Sequence, residues 1–134
     1  MLNDRLHSRG EKWRRSEAWP AVPRRSESGR LASLPRRRVL GREVAVATGF
    51  RARLLGLAGL RRERAGAGLL LPGCASVHTF GMRFDLDLVF LDAAGRPLAI
   101  VLGLPSRRLA SHRGAAAVLE LPSPQGGEFM APAS

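Results

Sequence analysis

Cys74, His78 and Met82 recur every fourth residue in the stretch Cys74-Ala-Ser-Val-His78-Thr-Phe-Gly-Met82-Arg-Phe-Asp85-Leu-Asp87. Soft sulfurs and an imidazole drawn from one loop are the ligand types of a blue-copper centre. Such a centre needs a second imidazole from another strand. His7 lies in a basic N-terminal stretch, so only His112 could complete the set. The same residues also suit a buried small thiol, a turn imidazole and a core thioether. The expectation is therefore no bound metal, with Cys74, His78, Met82 and His112 as the side chains to test.

Cys74 and His78 could instead act as nucleophile and base, which requires the two side chains within hydrogen-bond reach. Four residues apart in a loop, that contact is allowed but not imposed, and Asp87 is the carboxylate that could join them. Asp85 and Asp87 share one face of a strand, roughly 6.6 Å apart along the chain. A glycosidase pair normally comes from opposite sides of a cleft, so these neighbours argue weakly for acid–base work. Asp87 also shares its face with Val89 and Leu91, and a half-buried carboxylate must find donors. Arg83 is about 13 Å away along an extended strand. The backbone N–H groups of the loop and the Thr79 and Ser76 hydroxyls are nearer. Asp87 is thus expected to be structural, tying the 74–82 loop onto the sheet.

The elements that must position these groups are mostly strands. Phe84 to Leu91 is strongly β-favouring, with Leu86, Leu88 and Phe90 on one face. Asp92-Ala-Ala-Gly95 reads as a turn, and Arg96 to Leu104 as the returning strand of a hairpin. Upstream, Val44 to Val46 and Gly68 to Leu71 are short strands. Between them Thr48 is a candidate N-cap for a helix of about two turns, ended by Gly56 or Gly59. Residues 74–82 read as a shaped loop, Pro105 to Gly114 as a surface loop, and Ala116 to Leu121 as the last strand. The predicted fold is α+β and β-rich: a small, mostly antiparallel sheet or partly closed barrel with one short helix.

Val77-His-Thr-Phe-Gly-Met82-Arg, followed by Leu86-Asp87-Leu-Val-Phe-Leu-Asp92 and a turn glycine, resembles the signature of the uncharacterised DUF192 family. The flanks agree. Ala47-Thr48 with Arg53-x-x-Gly56-Leu57 is similar to the family's first strand and helix, and Val118-Leu-Glu120-Leu-Pro122 to its late strand. The resemblance covers roughly residues 42–127. It differs in a short spacer between Met82 and Asp87, in Asp85 where Pro is common, and in a reduced glycine-rich close at Gln125-Gly-Gly127. The family has no settled activity to lend, so the resemblance implies a fold and not a reaction.

With 134 residues the chain fits one domain. The formal charge of +11 is carried largely by arginine. Residues 1–42, rich in Arg, Pro and Ser and without apolar periodicity, are expected to be a disordered arm. The domain then spans 43–127, and 128–134 form a frayed tail. Arg14-Arg15, Arg24-Arg25 and Arg36-Arg37-Arg38 near Trp13 and Trp19 permit nucleic-acid binding through the arm, but a solvated tail is the simpler reading. One cysteine excludes an internal disulfide. No apolar run approaches the roughly 18 residues of a membrane span, and no secretory h-region is present. Those absences give a cytoplasmic expectation, although many relatives are exported and the start could be misassigned.

Together these residues point to a monomeric, non-catalytic accessory module without a cofactor. It would bind a small molecule or protein beside Cys74, His78, Thr79, Phe80, Met82 and Arg83. An enzyme or redox site on Cys74, His78 and Asp87 is the first alternative, and nucleic-acid binding by the arm the second.

Overall fold

Leu69-Leu70-Leu71, Leu86 to Leu91 and Val118 to Leu121 are nearly unbroken apolar runs, as expected of strands covered on both faces. The computed structural model of the chain describes residues 27–124 and buries all three runs in a two-sided sheet. Its elements in chain order are a single-turn helix α1 (Gly29–Ala32), β1 (Arg36–Val39), β2 (Arg42–Val46) and α2 (Phe50–Leu55). A 3-10 turn (Arg62–Arg64) precedes β3 (Leu69–Pro72) and β4 (Ser76–His78). The chain continues through β5 (Leu86–Leu91), β6 (Pro97–Leu104), β7 (Leu109–Ser111) and β8 (Ala117–Pro122).

Six strands form one mixed sheet in the order β1-β2-β3-β8-β5-β6, and β4 pairs with β7 in a separate ribbon. Only β2 and β3 run parallel, because the segment joining them crosses over the sheet carrying α2 and the 3-10 turn. Leu57 and Ala65 of that crossover pack with Leu69, Leu71, Leu86, Leu88, Phe90 and Val118 on one face. Val44, Leu70, Val89, Leu91, Leu119 and Leu121 form a second cluster on the other. The period-2 alternation along β3, β5 and β8 divides their apolar side chains between these two clusters.

The β5–β6 hairpin closes where expected. Asp92 Oδ1 accepts from Ala94 and Arg96 N–H at 2.9 Å each, and Gly95 takes φ +81°. The alternative of a partly closed barrel is not formed, since β1 and β6 end at opposite edges of an open sheet.

Four local expectations need correction. Residues 29–39, assigned by their charge to a disordered arm, form α1 and β1, and bury Leu31 and Val39. The Arg36 guanidinium pairs with the Glu27 carboxylate within this segment, and backbone bonds from Ser28 N–H to the Arg64 carbonyl and from Val46 N–H to the Pro35 carbonyl hold it on the domain. Residues 1–26 and 125–134 lie outside the described part. Ser76–His78 and Leu109–Ser111, read as loop, pair as the β4–β7 ribbon; three-residue strands carry too little pattern to be recognised. Finally, the residue before α2 is Gly49 at φ +89°, without a side-chain cap, so Thr48 stands one position too early to cap the helix.

Candidate functional site

On the sheet face covered by the crossover, the end of α2 stands across from the segment that leaves β3 and enters β4. The gap is a cleft of about 340 Å³. Leu54, Leu55 and Gly56 form one wall, and Cys74, Val77, His78 and Met82 the other. Arg53 stands at the mouth, with Nη1 3.4 Å from the Pro72 carbonyl oxygen. Leu71 and Glu120, from the adjacent strands β3 and β8, complete the lining.

Glu120 is the unexpected member. It sits in the apolar run Val118-Leu-Glu-Leu121, and strand alternation turns it to the crossover side with Val118. Only 3% of its surface is exposed. Burial pushes its carboxyl up to about 8, against a smaller opposing effect of the Leu57 backbone N–H, which bonds it. Its Oε1 atom has no hydrogen-bond partner among the described residues. Gly56 lets the helix end come this close: a Cβ there would lie 2.9 Å from Oε1, and its φ of +53° also disfavours other residues. The sequence signal was a lone carboxylate inside a fully apolar strand, which cannot be buried without consequence.

Cys74, His78 and Met82 all line the cleft, an arrangement that their spacing allowed but did not impose. The cleft does not bring them the other proposed partners. His112 lies elsewhere, its ring against Phe90 at 6.0 Å and its Nδ1 accepting from Gly114 N–H at 3.2 Å. No group of three His, Cys, Asp or Glu side chains among the described residues is placed to hold a metal. Asp87 lies on the opposite face of the sheet, on the side of Val89 and Leu91, so it cannot join Cys74 and His78. His78 Nδ1 accepts from Phe80 N–H at 3.3 Å. In the neutral ring that leaves the proton on Nε2, so neither ring nitrogen is left open to take a proton from a thiol.

Asp87 instead serves the hairpin. The β5–β6 register shifts between Leu86 and Leu88, and Asp87 Oδ1 accepts the N–H of Gly103 at 2.7 Å within that irregularity. The tie between the 74–82 segment and its neighbours is made by Thr79, which is fully buried. Its Oγ1 donates to the Pro105 carbonyl at 2.7 Å and accepts from Arg108 N–H at 2.8 Å. Phe80 is 53% exposed and packs against the His78 ring, while Arg83 is exposed beyond it. Leu54 and Leu55 are exposed on the facing wall, and Leu109, 71% exposed, pairs across from His78. The four exposed large apolar residues among those described thus stand in or beside the cleft.

A family model matches residues 34–128, the greater part of the chain: the uncharacterised ACR family DUF192. The chain belongs to the DUF192 family. Among solved structures, the chain is similar to a "putative transcription regulator" from Sinorhizobium meliloti 1021, at TM-score 0.56 and 22% identity over 66% of this chain and 71% of that one. It is also similar to a protein of unknown function from Novosphingobium aromaticivorans DSM 12444, at TM-score 0.50 and 18% identity over 65% and 67%. At these identities the likeness is one of fold. No curated protein matches the chain. In this DUF192 domain the signature stretch 77–83 divides its work. Val77, His78 and Met82 line the cleft, while Thr79 pins the stretch in place. None of the helices described is long and apolar enough to cross a membrane.

Proposed function

We propose that this DUF192 domain is a non-catalytic binding module whose ligand occupies the cleft between α2 and the 74–82 segment, with Glu120 at its base. The observation that carries this reading is the buried Glu120 oxygen without a partner in an open, apolar-rimmed cleft. Leaving a buried acceptor unmet costs about 1–3 kcal/mol, and a ligand that supplies a donor removes that cost. The cleft falls in the usual size range of small-molecule sites, which combine apolar walls with a few polar groups. Cysteine catalysis is less well supported, because the acceptor nitrogen of His78 is already used by Phe80.

Amide chemical-shift mapping with n-hexanol as a neutral apolar probe tests the site. Perturbations should cluster at residues 54–57 and 74–82 and disappear in Leu55→Glu, which places a charge in the wall. Shifts confined to the opposite sheet face, or no shifts at all, would overturn the reading.

A further inference from the structure

The chemistry of Glu120 narrows the ligand class. We propose that the cleft takes a ligand with a basic nitrogen, a primary amine or guanidine on an apolar body, whose N–H groups bond the Glu120 carboxylate. The inference rests on the binding reading above and adds the head group to it.

Three features of the cleft support this. The open position on Glu120 is an oxygen, and once ionised the carboxylate is acceptor-only, so the partner that stabilises its charged form must be a donor. The surroundings are Leu54, Leu55, Leu71, Val77 and Met82, which suit an alkyl body and leave a bare carboxylate poorly solvated. A cationic donor offers both the hydrogen bond and the counter-charge that this low-dielectric site lacks. An anionic ligand would meet like charge in the ionised carboxylate and would have to bind the protonated form instead.

The site carries its own signature. Burial holds the empty Glu120 carboxyl at about 8, so near pH 7 it is mostly protonated. A bound ammonium ion favours the carboxylate, and the displaced proton passes to solvent. The cation remains protonated, so each binding event below that pH releases one proton. The other ionisable groups around the cleft are Arg53 of α2, Cys74 and His78 of the facing wall, and Arg30. The Arg30 guanidinium donates to the Gly56 and Ala58 carbonyls at 3.0 and 2.8 Å. Arginines do not titrate in this range.

Titration of the full chain with n-hexylamine and n-hexanol from about pH 6 to about pH 9 tests the proposal. The amine should tighten about tenfold per pH unit up to about pH 8 and then level off, as expected of one linked proton. Calorimetry in two buffers of different ionisation enthalpy should show close to one proton released per amine bound at the acid end. Hexanol should show neither effect. Glu120→Gln should abolish the slope and the proton release, and His78→Gln should retain both. Hexylamine binding as hexanol does, with a flat pH profile, would overturn the basic-nitrogen assignment while leaving the cleft as a binding site. Failure of both probes to bind would overturn both readings.

Discussion

Asp85 and Asp87 are two residues apart and of the same type, yet their surroundings assign them different weights. Asp87 is almost fully buried and accepts the Gly103 N–H at the register shift of the hairpin, whereas the Asp85 side chain is exposed. Asp87→Ala should therefore lower stability by about 1–3 kcal/mol through loss of the charge-assisted bond that this buried carboxylate accepts from Gly103 N–H. Asp85→Ala should stay within about 0.5 kcal/mol. Urea midpoints at constant slope measure both, and equal midpoints would remove the role given to Asp87. The sulfur and imidazole groups yield a second expectation. With Cys74, His78 and Met82 on one wall and His112 elsewhere, protein exposed to Cu(II) or Zn(II) and desalted should retain far less than one metal per chain. An intense visible copper band lost in both His78→Ala and Cys74→Ser would contradict that.

Two elements hold the site that no apolar pattern marks, and each can be removed separately. Thr79 fastens the turn after β4 to residues 105–108 through one hydroxyl that both donates and accepts. Thr79→Val keeps the volume but removes both bonds of a buried hydroxyl, so it should cost about 1–3 kcal/mol. It should also broaden the amide signals of residues 76–82, and unchanged spectra would show that the ribbon holds itself. At the other end, α1 and β1 contribute Leu31 and Val39 to the two cores. Deleting residues 1–40 should lower the thermal midpoint by more than about 8 °C, the scale of over 1 kcal/mol for a domain this size. A midpoint within about 2 °C of the full chain would show that the sheet stands without its first strand.

Across the whole molecule, Glu120 links stability to pH. Its carboxyl lies near 8 when folded and at 4.5 when free, so between those values the folded chain holds the extra proton. Stability therefore falls as pH rises from 4.5 to 8 and levels off above, by on the order of 5 kcal/mol for that shift. Glu120→Gln should remove this component, so the variant should gain on the parent steadily across that window. The difference between their urea midpoints at about pH 5 and about pH 8 measures it. A constant difference would mean that Glu120 is solvated or paired in solution.

The central hairpin was legible from the chain alone. Leu86 to Leu91 alternates between two apolar faces, Asp92-Ala-Ala-Gly95 has turn chemistry, and the signature at 77–83 carried the family. Such signals are local, because a strand and its turn are specified by residues within a few positions of one another. The spacing of Cys74, His78 and Met82 marked them as one set, but it allowed a shared wall without imposing it. Tertiary structure alone decided the rest. Arg36-Arg37-Arg38 reads as a solvated run, yet it lies on a strand because the edge of β2 receives it. Glu120 reads as one polar residue in an apolar strand. It becomes the base of the cleft only because Gly56, 64 positions earlier, brings the end of a helix against it. Contacts of that kind depend on packing between distant segments, and neither segment carries a mark of the other.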